Sequence, residues 1–159
     1  MSDQDKPAGE SLDVLQKDRE DWWFKDLVVI AIGLGARRGE LLQLTFHDID
    51  FEANKLTFRS ETTKAGKARD LPIDPVLFAM LKRRHQNRTN ELVFGGVGVS
   101  AVTKAWNAAT KDTKSARYTF HHLRHTAITH WANSGLPIAD VQFMAGHASE
   151  RQSEAAQVF

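Results

Sequence analysis

The chain has 159 residues, 42% hydrophobic and 26% charged, which is the make-up of one ordinary globular domain and leaves no length for two. Cysteine is absent, so disulfides, thiol catalysis and cysteine-built zinc sites are excluded, and a reducing compartment fits. The net charge of +1 hides a split: residues 1–21 carry −4, whereas 55–124 carry 14 basic against five acidic side chains, or +9. A basic body behind an acidic leader suits a polyanion, although scattered lysines also make an ordinary solvated surface.

Residues 1–10 are polar, contain Pro7 and Gly9, and are expected to form a disordered tail; they lack the basic-then-apolar order of a signal peptide. The longest apolar stretch, from Leu27 to Ala36, is ten residues broken by glycine, far short of a membrane span. A cytoplasmic protein with no membrane contact is expected. Ser11 is a candidate N-cap for a helix carrying Leu12 and Leu15. A second helix is predicted from about Asp21 to Leu34. Trp22, Trp23, Phe24, Leu27, Val28, Ile30 and Ile32 make it apolar nearly all round and so central to the core, with Gly33 and Gly35 closing it. A short helix follows at Arg38–Leu44, then a turn at His47-Asp48.

Over 55–73 the period changes. Leu56 and Phe58 alternate with polar neighbours, Leu71-Pro-Ile73 ends a second extended run, and Gly66 suits a turn between them. The pattern predicts a β-hairpin or the edge of a small antiparallel sheet. Helices are predicted again at 75–86, 99–111, 121–134 and 137–145, with Gly135 at a helix end and Pro137 in the first turn of the next. The expected fold is mainly α with a small antiparallel β-sheet, as one domain over 11–159.

Three motifs carry chemistry. In Thr119-Phe-His-His-Leu-Arg-His-Thr126, His121 and Arg124 are three apart and share a helix face. An imidazole and a guanidinium presented together suit one phosphate. A surface helix with a few histidines is the plainer reading. Metal binding is another, since His121 and His125 have the i, i+4 spacing of zinc-binding helices, but the glutamate of HExxH is missing. In Gly35-Ala-Arg-Arg-Gly-Glu40, Arg37 stands at the mouth of a helix with Glu40 three residues on, placed to orient the guanidinium. In Met144-Ala-Gly-His147 a histidine follows a glycine where a helix stops.

Together these motifs make residues 11–159 resemble the tyrosine recombinases, also called phage integrases. Arg37 in GARRGELLQL falls at the family's first arginine, and Lys64 in TTKAGKARDLPI at its hairpin lysine. His121 and Arg124 match the HxxR pair, and His147 the second histidine. The resemblance implies transfer of a DNA phosphodiester onto a tyrosine hydroxyl, with no metal or other cofactor. Arg37 and Arg124 would neutralise the non-bridging oxygens in the transition state. His121 would help move the nucleophile's proton, His147 would donate to a phosphate oxygen, and Lys64, rather than nearby Lys67, would protonate the leaving 5′-oxygen. Glu40 would buttress Arg37. The implied partners are double-stranded DNA and further protomers in a tetrameric synapse.

One departure is serious. The family's nucleophilic tyrosine lies about nine residues after the second histidine, where this chain has Ala156. The single tyrosine, Tyr118, stands in the wrong motif, and Phe159 is no nucleophile. The expected activity is therefore nil, whether Ala156 is an engineered change, marks a natural degenerate copy, or reflects a tyrosine lost beyond a shifted C-terminus. The family's N-terminal DNA-clamping domain and its C-terminal docking helix have no counterpart in these residues. An excised, monomeric catalytic domain is expected. Two other readings stay open: a DNA-binding relative that kept the phosphate pocket without cleavage, and a metal-dependent hydrolase using His121, His125 and His147.

Overall fold

A computed structural model describes residues 23–64 and 66–146. Helix α1 occupies 23–34, and Leu27, Ile30, Ala31 and Leu34, spaced by three and four, are sealed in the core. Two features of it depart from the sequence reading. Val29 and Ile32 face out, 41% and 42% exposed, so the helix is covered on one side only. Gly33 lies within the helix, where Leu77 packs so close that a β-carbon would sit 2.8 Å from its Cδ1. The helix ends at Gly35, whose φ of 59° and contact with Trp131 both exclude a side chain.

Helix α2 is Arg38–Leu42, shorter than its predicted end at Leu44. Thr45 and Asp48 then cap a tight turn: the Thr45 N–H and hydroxyl both donate to Asp48 Oδ2, at 2.9 and 3.0 Å. The sheet holds three antiparallel strands, β1 (Ile49–Asp50), β2 (Lys55–Phe58) and β3 (Arg69–Pro72), in that order. The two-residue β1 has no signature in the sequence, because it is too short to display a period. Leu56 pairs with Leu71 and Phe58 with Arg69, all facing the core, while Lys55, Thr57 and Asp70 interact on the outer face. The β2–β3 connection is long rather than tight. The half-turn Ser60–Thr62 leads to buried Thr63, whose hydroxyl donates to the Lys67 carbonyl at 3.0 Å.

Helix α3, Pro75–Gln86, starts where Asp74 caps the Leu77 N–H and proline fills the first position. It docks on α1 through Asp26, which accepts from Arg83 and Arg84. Helices α4 (Val99–Thr110), α5 (His122–Asn133) and α6 (Ile138–Ala145) follow, with Pro137 as the cap of α6 rather than within it. One large apolar cluster is built from α1, the sheet and α3; a second, smaller one joins Ala127, Ile128 and Trp131 of α5 to Val141 and Ala145 of α6. Met144 packs against both. The seam between these clusters is where the basic motifs meet.

Candidate active site

Arg124, in the first turn of α5, is only 4% exposed. Its guanidinium donates to two carbonyls from distant parts of the chain, Gly35 after α1 and Ala145 at the end of α6. Both carbonyls lie at helix ends, so one side chain ties three elements together. Burial, then the positive charge of Arg37, pushes the Arg124 pKa down to about 10, so it is still a cation at neutral pH. Two of its five N–H donors are used in these bonds.

Arg37 precedes α2 as its cap, and the cap is closed by Glu40: the Arg37 N–H donates to Glu40 Oε2 at 2.8 Å. Its guanidinium touches the same carboxylate only at 3.5 Å. The expected buttress is thus mainly a backbone bond. The main partner of Glu40 is a residue that lies within TTKAGKARDLPI but is given no role by the sequence pattern. Arg69 of β3 grips both oxygens of Glu40 in a fork, at 2.8 and 2.9 Å. Arg69 is 4% exposed and Glu40 1%. The Arg69 Nε also donates to the Met144 carbonyl at 3.2 Å, and its guanidinium lies 4.6 Å over the Phe58 ring. Burial alone would raise the Glu40 pKa; the hydrogen bonds and charge of Arg69, with the Arg37 N–H, outweigh it and hold the carboxyl below its ordinary 4.5.

Gly146 completes this arrangement. It ends α6 in the left-handed region, φ 65°, and a β-carbon there would lie 2.7 Å from Arg69 Nη1. The glycine in Met-Ala-Gly-His is required both by the turn and by the arginine beneath it. His147 and Ala156 lie outside the described residues.

His121 is the cap residue of α5, whereas the sequence pattern places it inside the helix. Burial, then the neighbouring charges of His125, Arg124 and Arg37, lower its pKa from the ordinary 6.5. The imidazole is therefore neutral at pH 7 and able to accept a proton beside two cations. His121 and His125 meet edge to face, ring centroids 5.1 Å apart, and among the described residues no group of three His, Cys, Asp or Glu could hold a metal. His122 serves the turn before α5. Its Nδ1 accepts the Thr119 N–H at 3.0 Å, which leaves the ring proton of the neutral form on Nε2. Tyr118 packs its ring against His122 and under Arg117.

Lys64 stands exposed on the β2–β3 connection with no hydrogen bond or ion pair among the described residues. Arg37, Glu40, His121 and Arg124 are thus brought together, Arg69 joins them from β3, and Lys64 remains on the loop that leads to Arg69. Three buried or half-buried guanidiniums surround one carboxylate, which leaves a net positive site. Such a site suits an oxyanion and would gain strength as negative charge on it grows.

Arg69 is legible in principle. It lies two and four residues before Leu71 and Ile73, on the inward phase of the strand, where a charge requires a partner.

A model of the phage integrase family matches residues 9–155. The tyrosine recombinase XerA of Pyrococcus furiosus is 31% identical over 149 residues, covering 87% of this chain and 50% of its own length. The chain thus spans about half the length of that curated relative. A crystal structure of a XerA recombinase superimposes with a TM-score of 0.74 at 20% identity, covering 97% of this chain and 60% of that one. The integrase of transposon Tn1549, solved with a circular intermediate DNA, gives 0.69 at 22% identity, covering 82% and 52%. The mainly helical fold with a three-stranded antiparallel sheet is the one those recombinases share. With nearly its whole length matched, this chain belongs to the phage integrase family of tyrosine recombinases.

Proposed function

We propose that this chain is the strand-exchange domain of a site-specific DNA recombinase, lacking its own nucleophile. The observation that carries the reading is the pairing of Arg37 with Arg124 around a carboxylate that Arg69 already neutralises. In this reading the two arginines hold the scissile phosphate, and their contribution rises in the pentavalent transition state, where the phosphorane carries more charge than the diester. His121 takes or relays the proton of the attacking hydroxyl, Glu40 positions Arg37, His147 donates to a phosphate oxygen, and Lys64 protonates the leaving 5′-oxygen. The partner is double-stranded DNA, in keeping with the Tn1549 relative solved on DNA. Assembly with further protomers into a tetrameric synapse is part of the same reading.

Ala156 stands where the nucleophile is expected, so the chain binds but does not cut. On a nicked suicide substrate it should form no covalent adduct, and Ala156→Tyr should create one, read as a gel-stable conjugate. An adduct from the unaltered chain would overturn the inactivity. In the Ala156→Tyr background, Lys64→Ala should spare binding and slow cleavage, with rescue by a 5′-bridging sulfur whose thiolate leaves without a proton. If Lys67→Ala behaves that way instead, the acid is Lys67. Ala156 also favours a second reading, a DNA-binding relative that never cleaves; Ala156→Tyr that binds yet forms no adduct would select it.

A further inference from the structure

The strongest feature that the recombinase reading leaves unexplained is the fork between Arg69 and Glu40. A carboxylate three residues after an arginine on a helix is placed to pair with it. Here Glu40 is sealed from solvent, so an unopposed guanidinium within reach would be drawn onto it and neutralised there. That capture is incomplete: Arg37 Nη1 makes only a long ion pair with Glu40 Oε1, at 3.5 Å. Both Glu40 oxygens already accept from Arg69, at 2.8 and 2.9 Å, and one also accepts the Arg37 N–H.

Arg69 cannot leave this post easily. Its Nε is bound to the Met144 carbonyl, Phe58 lies against one face, and Gly146 closes over it with no room for a methyl group. We infer that Arg69 is a positioning residue for the reaction: by acting as the buried counter-ion of Glu40, it keeps the Arg37 guanidinium available to the DNA phosphate. The role is electrostatic as well as mechanical. With Arg69 the group of three arginines and one glutamate carries +2; without it, +1, and the Arg37 guanidinium is then drawn onto Glu40 and away from the phosphate. This inference rests on the phosphate-pocket reading above.

The test is binding of a labelled DNA duplex of arbitrary sequence, followed by anisotropy across a salt series. Arg69→Met should weaken binding about tenfold, the scale of one charge-assisted contact, and make the salt dependence shallower by about one charge. Adding Glu40→Gln to that variant should restore both, because the amide still accepts the Arg37 N–H but no longer holds its guanidinium. A role confined to holding the fold predicts no recovery in the double variant, and that result would overturn the inference. If Arg69→Met does not melt cooperatively, Arg69→Lys takes its place; one donor instead of a fork should give a loss of about threefold, again reversed by Glu40→Gln. Arg69→Lys binding like the unaltered chain would count against the inference. Arg37→Ala separates the two levels: if it binds as the unaltered chain does, the phosphate pocket itself is wrong. If Arg37→Ala weakens binding while the Arg69 variants do not, only the role of Arg69 is wrong.

Discussion

Arg37 and Arg124 are alike in charge and unlike in burial, and that difference sets what each substitution should do. Arg124→Ala removes the buried hydrogen bonds to the Gly35 and Ala145 carbonyls, which should cost about 2–4 kcal/mol of stability in a denaturant melt. The Arg37 side chain is 21% exposed and makes only a long ion pair with Glu40, at 3.5 Å, so Arg37→Ala should change stability by less than about 1 kcal/mol. On DNA both should lose affinity about equally for different sequences, since guanidinium–phosphate contacts carry no direct base information. His121 adds a pH signature. Burial, His125, Arg124 and Arg37 depress its pKa in the free protein, with His122 a smaller contributor. A bound phosphate offsets the arginine charges and raises it again, so binding takes up a proton. Affinity should therefore rise as pH falls below the ordinary 6.5, and His121→Ala should flatten the profile; His125, also depressed, should contribute less if it lies farther from the phosphate.

At the level of elements, boundaries are readable wherever a residue type settles a terminus by itself. Asp74-Pro75 marks the start of α3, and the predicted 75–86 is the observed span. Gly35 and Gly135 take positive φ at helix ends as expected. Gly33 defeats the sequence reading because a glycine inside a helix for close packing has the same local signal as one that ends it. The HxxR and Arg37 motifs are legible because spacing on one helix fixes proximity. The Glu40–Arg69 fork joins residues 29 apart, and no periodicity brings them together; only the sheet register does. Two glycines test this geometry against each other. Gly66 and Gly146 have φ of 69° and 65°, yet Gly66 has open space around it while Gly146 faces Arg69. Gly66→Ala should cost about 1 kcal/mol for the backbone alone, and Gly146→Ala roughly 1–2 kcal/mol more as Arg69 is displaced, compared by chemical denaturation. Equal effects would mean that Arg69 yields without loss.

Across the whole molecule, the mean charge conceals the working charge. The +9 over 55–124 spans β2 to the start of α5, and part of it is internally matched: Arg69 by Glu40, Arg83 and Arg84 by Asp26. Binding should weaken steeply with salt, as for any protein that displaces counter-ions from DNA. Because the positive charge at the phosphate comes from side chains, EDTA should leave affinity unchanged. A stoichiometric, tightly held transition metal found by elemental analysis would instead move weight to His121 and His125. Among the described residues no helix is long and apolar enough to cross a membrane.

The carbonyl bonds of Arg124 also bear on how such a domain would decay. In a lineage no longer selected to cut DNA, Arg124, Glu40 and Arg69 stay under selection because the folded state needs them. Lys64, exposed and without a described partner, is free to drift at once, and His121 soon after. Among descendants that share an alanine at 156, the order of loss should run from the loop inward, leaving a fossil of three buried side chains long after the chemistry is gone.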